Sequence, residues 1–371
     1  MSVWVVKQQS QKTFTGVNAG FDAVLGARGS KLQLVLNAIF HLEASPGNLA
    51  WQDFLDIQKN PNVELAVPLA VGDNYHGYRL VGTTPDLFTR GEYSPGKHFE
   101  VQPGGEWNDP ERREAVVGDF VARKLKLKVG DTFHPFHGLI YDERNQHSET
   151  YVVVGVLKPS NTPADRVIWI PLAGIQRMSG HDPRAATEVS AVLVKLRAGS
   201  AMAGFQLDML YNKQGNRLTF AWPVGDVMGE LFNKIGWFDR VLTLVSYLVA
   251  LVAAGSILAS IYNSMNERRR ELAILRALGA RRMTIFSTIL LESATIAALG
   301  VAGGFVFYLG LMMVVAGIIR EQTGVVLEPF AFNPVMLWSP VMFIALGALA
   351  GILPAFKAYR TDVASSLIPQ S

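Results

Sequence analysis

The sequence predicts an α+β domain followed by an α-helical transmembrane bundle. Three observations predict this. Only 18% of the 371 residues are charged, against roughly a quarter in soluble proteins, and the mean hydropathy is +0.21. Long charge-free runs occur only after about residue 240. Residues 20–222 mix strand-like and helix-like runs in an interspersed order, which favours α+β over a doubly wound sheet. The formal net charge of +3 is too small and too local for a nucleic-acid binder. A chain without cysteine has no disulfide, no cysteine-based zinc site and no thiol catalysis.

Strand-like runs are Lys31–Ile39, Glu64–Val71, Tyr78–Gly82, Tyr151–Leu157, Val167–Ile170 and Val189–Leu196, rich in β-branched or aromatic residues. Helix-like runs are Leu49–Gln58, Gly118–Leu127, Pro171–Met178 and Ser200–Lys213. Gly130–Glu149, rich in His, Gly and charge, reads as a long loop. In Val224–Arg240, Val227, Leu231, Ile235 and Phe238 recur at helical spacing. That segment is expected to be a stalk or an interfacial helix anchored by Trp222 and Trp237. The expected domains are therefore 1–222, a linker at 223–240, and a membrane domain at 241–371.

Val241–Tyr262 is a charge-free run of 22 residues, enough to span a bilayer, which takes about 20. Met283–Ile319 is 37 residues long with Glu292 as its only charge. As one helix it would measure about 55 Å, well beyond a ~30 Å hydrocarbon core. It either tilts and projects from the membrane or breaks near Gly300, Gly303 and Gly304. Met336–Phe356 is the third run. Spans are expected at about 241–262, 284–311 and 336–356.

Charge sets the direction. The loop Asn263–Arg282 carries six Arg against Glu267 and Glu271, whereas Arg320–Pro334 carries one Arg against Glu321 and Glu328. The positive-inside rule puts the first loop and the tail in the cytoplasm, and the second loop outside. Everything before residue 240 is then extracytoplasmic. Met1–Ala50 has no apolar region long enough for an export signal, so a further membrane helix is expected upstream of this chain.

Few segments suggest chemistry. Gly91–His98 almost spells a phosphate-binding loop, but His98 stands where a Ser or Thr must hold magnesium, and the segment reads as a turn. His134-Pro-Phe-His137, with His147 and Asp142 nearby, offers metal ligands without a recognised spacing; solvated loop histidines are the expectation, with no metal. Gly26–Lys31 lacks the spacing of an acyl-transfer nucleophile and reads as a turn. No catalytic residue or cofactor is expected in this chain. Glu292 costs about 3 kcal/mol at a bilayer centre. It either forms an intramembrane polar site or sits near the headgroups or against a neighbouring helix. Gly300/Gly304 and Gly347/Gly351 are GxxxG pairs that suit close helix packing.

The most informative stretch is Glu267–Arg282, ERRRELAILRALGARR. Leu272, Leu275 and Leu278 recur every third residue, and Gly279 is a helix stop. A basic amphipathic helix of this kind lies on anionic lipid or docks on a soluble partner.

Asn266–Arg282 resembles the signature loop of FtsX-like, MacB-type permeases of ABC transporters. Glu292-Ser-Ala, and Gly351–Asp362 with its Pro-Ala-x-x-Ala-like tail, fit the same pattern. The resemblance is specific over residues 241–367. Order and position extend it to residues 16–222, which resemble the family's extracytoplasmic core domain. It implies four membrane helices per subunit, of which this sequence shows three. It also implies a coupling helix at about Arg269–Arg281, comprising Arg269, Arg270, Glu271, Leu272, Leu275, Arg276, Leu278, Gly279 and Arg281. The expected partners are a cytosolic ABC ATPase, which would supply the ATP and magnesium chemistry, a second permease subunit, identical or different, a periplasmic adaptor or envelope protein, and membrane lipid. The expected function is a multi-pass cell-membrane permease for export or extraction of a lipoprotein, peptide or lipophilic compound. The rival is a membrane-tethered protein that controls an envelope enzyme without transport.

Overall fold

The computed structural model describes residues 2–16, 18–102, 112–197, 201–234, 236–327 and 334–360. The side chains of residues 2–7, 201, 239, 269, 358 and 360 lie outside that description. The chain forms two compact units. One comprises Gln9–Lys234 and Ala316–Leu327, the other Met1–Gln8, Ile235–Val315 and Glu328–Ser371.

The first unit is built on a ten-stranded mixed sheet. In chain order the strands are β1 (Ala23–Ala27), β2 (Val63–Tyr75), β3 (Tyr78–Thr83), β4 (Glu114–Val117), β5 (Thr132–Phe133), β6 (Phe136–His137), β7 (Tyr151–Val156), β8 (Ile168–Pro171), β9 (Ala191–Leu196) and β10 (Leu218–Ala221). Their spatial order is β10-β1-β9-β2-β3-β8-β4-β7-β5, with β6 also paired to β2. β7 with β4 and β8 with β3 are parallel; the other ladders are antiparallel.

Strand alternation explains why both faces are dry. Leu25, Ile168, Ile170, Val192 and Val194 enter one apolar cluster, while their neighbours Val24, Trp169 and Leu193 enter the other. Helices cover both sides. Phe54 and Ile57 of the helix Trp51–Gln58 join the first cluster. Leu34, Val35 and Ala38 of the helix Lys31–Ala38 join the second. Gly26 lets that helix approach β1, since a Cβ there would lie 2.1 Å from Leu34 Cδ2.

The predicted strands at 64–71, 78–82, 151–157, 167–170 and 189–196 fall on β2, β3, β7, β8 and β9. The predicted helices fall on Trp51–Gln58, Asp119–Leu125, Leu172–Gln176 and Ala201–Asp208. Lys31–Ile39 is a correction, because it is helical rather than extended. Ser30 caps it by accepting the Gln33 N–H, and leucines at 32, 34 and 36 with Val35 gave the run its strand-like look. The loop 130–149 carries the short strands β5 and β6.

Among the described residues three helices are long and apolar enough to cross a membrane: Gly236–Glu267, Arg282–Thr323 and Pro334–Lys357. Leu251, Phe307 and Leu353 are among many large apolar side chains exposed along them, as contact with lipid requires. Arg282–Thr323 is continuous over 42 residues. Gly300, Gly303 and Gly304 do not break it, so of the two sequence expectations the long helix holds. A helix satisfies its own backbone groups, and apolar surroundings offer them no competing partner.

The end of this long helix, from Ala316, belongs to the sheet unit. There Lys124 pairs with Glu321, and Arg166 donates to the Gln322 carbonyl. Gly324 turns the chain with φ +74°, and Val325 is fully buried in the second apolar cluster.

Candidate functional site

The arginine-rich loop is a short helix between two long ones. Gly236–Glu267 ends, Arg268 turns the chain with φ −90° and ψ 6°, and Arg269–Ala277 forms the helix. The predicted extent to Arg281 is therefore too long by about a turn. Leu278 is the C-cap, the Gly279 N–H donates to Arg276 O at 3.1 Å, and the Ala280 N–H donates to Leu275 O at 3.0 Å. Gly279 has φ +103°. This is a Schellman stop, which needs a residue that tolerates the left-handed region. The Thr284 N–H then bonds Arg281 O at 2.9 Å as the next helix begins.

The leucines of this loop do not share one environment. Leu272 packs against the cluster of Ile261, Met265, Ile285, Ile289 and Ala355, and Ala273 is buried. Ile274 is exposed, Leu275 is 51% exposed and Leu278 is 80% exposed. Arg270, Glu271 and Arg281 are exposed beside them, and Arg276 is half-buried. The side chain of Arg269 lies outside the described residues. One face thus fastens the helix to its own unit, while the other presents three apolar side chains among charges.

Glu292 is not isolated. Arg268 Nη1 lies 3.9 Å from Glu292 Oε1, which ties the span to the arginine-rich loop. The glycine pairs differ from each other. A Cβ on Gly347 would lie 2.4 Å from Ala297 Cβ, and one on Gly351 would lie 2.0 Å from Ser293 Oγ. A Cβ on Gly300 or Gly304 would meet nothing within 4 Å. The expectation that Gly300/Gly304 is a packing face is therefore corrected for contacts within the described chain, since that face is open.

In the sheet unit, Gly91–His98 forms a small hairpin of Glu92–Ser94 and Lys97–His98. The structure splits the predicted histidine group. His134 Nδ1 turns to Glu149 O, and Asp142 holds Arg144. His137 and His147 instead converge with Asp73 and His181, two residues that sequence reasoning missed. Burial pushes the Asp73 carboxyl up, but His147 and His181 outweigh it and hold it below its usual range. The contact with Asp73 pushes His181 up despite its burial.

A chain with a large mixed-sheet domain and long apolar helices that meet at a basic turn is that of a membrane protein with a large domain outside the bilayer. The model for the MacB-like periplasmic core domain matches residues 6–209, more than half of the chain, and the FtsX-like permease C-terminal model matches residues 243–363. The chain belongs to the family of MacB-type, FtsX-like ABC transporter permeases.

It is 25% identical over 359 residues to the macrolide export ATP-binding/permease protein MacB of Brucella melitensis biotype 1, across 91% of this chain and 52% of that one. It is 27% identical over 335 residues to MacB of Escherichia coli K12, across 86% of this chain and 49% of that one. The chain thus spans about half the length of the curated relatives it matches. The periplasmic region of MacB from Actinobacillus actinomycetemcomitans aligns at a TM-score of 0.39 and 12% identity, over 59% of this chain and 94% of that one.

Proposed function

We propose that this chain is the membrane-spanning, non-catalytic subunit of an ABC exporter. A separate cytosolic ATPase docks on the turn Arg269–Arg281 and supplies the ATP and magnesium chemistry. The observation that carries the reading is the capped helix with Ile274, Leu275 and Leu278 exposed among Arg270, Glu271 and Arg281. An apolar patch on a helix already fastened at Leu272 and Ala273 can be gripped and moved as a rigid part. The direction is supported by the far end of the long helix. Residues up to Leu327 belong to the same unit as the sheet, as the charge rule requires if both lie outside the cytoplasm.

In this reading two permease subunits, identical or different, work together. ATP-driven closure of the ATPases moves the extracytoplasmic domains to export or extract a lipoprotein, peptide or lipophilic compound. The macrolide named for the relatives lies in the last class. An adaptor or envelope protein completes the path outside.

The test is co-purification of the ATPase with Leu275→Asp. A charge buried unpaired at such a contact costs about 3–5 kcal/mol, so most of the complex should be lost. Unchanged co-purification would remove the docking assignment. ATPase stimulation by an envelope enzyme and by no exported compound would replace transport with the regulatory reading.

A further inference from the structure

We infer that Asp73, His137, His147 and His181 form a tetrahedral zinc site in the extracytoplasmic domain. The four ligand atoms lie within 4.8 Å of one another. Nε2 of His147 and Nε2 of His181 are each 3.1 Å from Asp73 Oδ1, and His137 Nδ1 is 3.4 Å from it. Zinc–ligand bonds of about 2.0 Å in a tetrahedron place the ligand atoms roughly 3.3 Å apart, and these separations bracket that value. The three imidazole centroids are 5.1, 5.2 and 5.4 Å apart, so the rings surround the carboxylate almost evenly.

The hydrogen-bond inventory calls for a cation. His147 Nδ1 faces Ser179 O at 2.9 Å, and His181 Nδ1 faces Ile175 O at 2.8 Å. A carbonyl oxygen only accepts, so each Nδ1 carries the hydrogen. In a neutral ring Nε2 then points a lone pair at a carboxylate oxygen, which also only accepts. Two such lone pairs meet the same Oδ1. The side chain of Asp73 is 0% exposed, and its Oδ2 is sealed from solvent without a hydrogen-bond partner. One divalent ion satisfies Oδ1 and both Nε2 lone pairs together and neutralises the buried carboxylate. The carbonyl contacts are the outer shell that fixes ring orientation in metal sites.

Three nitrogens gathered around one carboxylate oxygen at zinc-type separations select zinc among the common divalent ions. With four protein ligands the site is closed, and its role is structural. The ligands come from the β2 bulge, from β6, from the loop before β7, and from the turn after Leu172–Gln176. In a chain with no cysteine, the ion fastens segments that no disulfide can join. A cavity of about 340 Å³ lined by Gly72, His137, His181 and Asp182 gives it an entry path. The inference does not depend on the transport reading.

The test uses the untagged full-length chain in detergent, stripped with a chelator and then titrated with zinc chloride. The expected result is one tightly held zinc per chain by elemental analysis, together with a higher melting temperature. His137 is 55% exposed, so His137→Ala should fold, yet it should lose at least ten-fold in zinc affinity along with the thermal gain. His134→Ala, three residues away and outside the cluster, should keep both. Failure of the full chain to retain stoichiometric zinc would overturn the proposal. So would His137→Ala binding as the parent does, or zinc failing to raise the melting temperature of the stripped chain.

Discussion

Ser293 fills the notch that Gly351 leaves on the facing membrane helix. Its hydroxyl donates to Ile289 O at 2.8 Å within its own helix. A Cβ at position 351 would lie 2.0 Å from Ser293 Oγ and 2.7 Å from Ser293 Cβ. Gly351→Ala should therefore destabilise the full chain by the ~1–3 kcal/mol typical of overpacking. Ser293→Gly in the same chain should recover most of that loss. Thermal melts of the two single variants and the double variant in detergent measure the coupling. Additive effects would show that the two positions do not touch.

Gly304→Leu should behave in the opposite way. Its added side chain meets nothing within the described chain, so melting of the separated monomer should not change. If the open glycine face receives a second subunit or another helix, cross-linking between copies should fall. A drop in monomer stability would place the contact inside the chain instead.

His41 carries a pH signal. Burial, then the charge of Arg79, lowers its pKa from 6.5 to about 3. Its Nδ1 is sealed without a partner, and its ring stands edge-on to Trp169 at 5.5 Å between centroids. The folded state holds the ring neutral, whereas the unfolded state takes up a proton below about pH 6.5. Stability should thus fall as pH drops from 6.5 toward 3, by at most about 1.4 kcal/mol per pH unit from this one group. His41→Asn keeps a residue that tolerates the φ of +54°. The difference between parent and variant in chemical denaturation should shrink as the pH is lowered. An equal difference at pH 7 and pH 5 would contradict the assignment.

Val325 tests the docking of residues 316–327 on the sheet unit. It is fully buried, and Val325→Asp would bury a charge without a partner. The loss should be several kcal/mol, read as early unfolding of the sheet unit by hydrogen exchange. Lys124→Ala, which removes the exposed pair with Glu321 and the ammonium over the Phe120 ring, should leave hydrogen exchange of the sheet unit nearly unchanged.

The membrane spans and the strands β2 and β9 were legible because length and β-branched runs carry them directly. β1, β4 and β10 were not. They are four or five residues long and contain Ala; β1 and β4 owe their strand state to neighbours on both edges, and β10 to its pairing with β1. The helix Lys31–Ala38 was misread because its strongest signal is the single cap Ser30 rather than its composition. The basic turn was legible from charge and spacing alone, but the inward turn of Leu272 and the outward turn of Leu275 were not. The histidine cluster was half visible. His137 and His147 lie ten residues apart, whereas Asp73 is 64 residues before His137 and His181 is 44 after it. Only the sheet brings those positions together, by pairing Asp73 with His137 across β2 and β6.

The bulge in β2 sets a phase. Val71 pairs with Val81 and Asp73 with Leu80, so Gly72 is one residue more than the ladder needs. Side chains alternate across a strand, and one residue of shift exchanges the two faces. Without Gly72, Asp73 would follow Val71 directly and still lie opposite Leu80, so the bulge is the one place where this strand can lose a residue and keep the carboxylate beside the three imidazoles. Length at this point is thus more tolerant than length on either side of it, where a residue lost from the regular ladder exchanges the faces of everything beyond it.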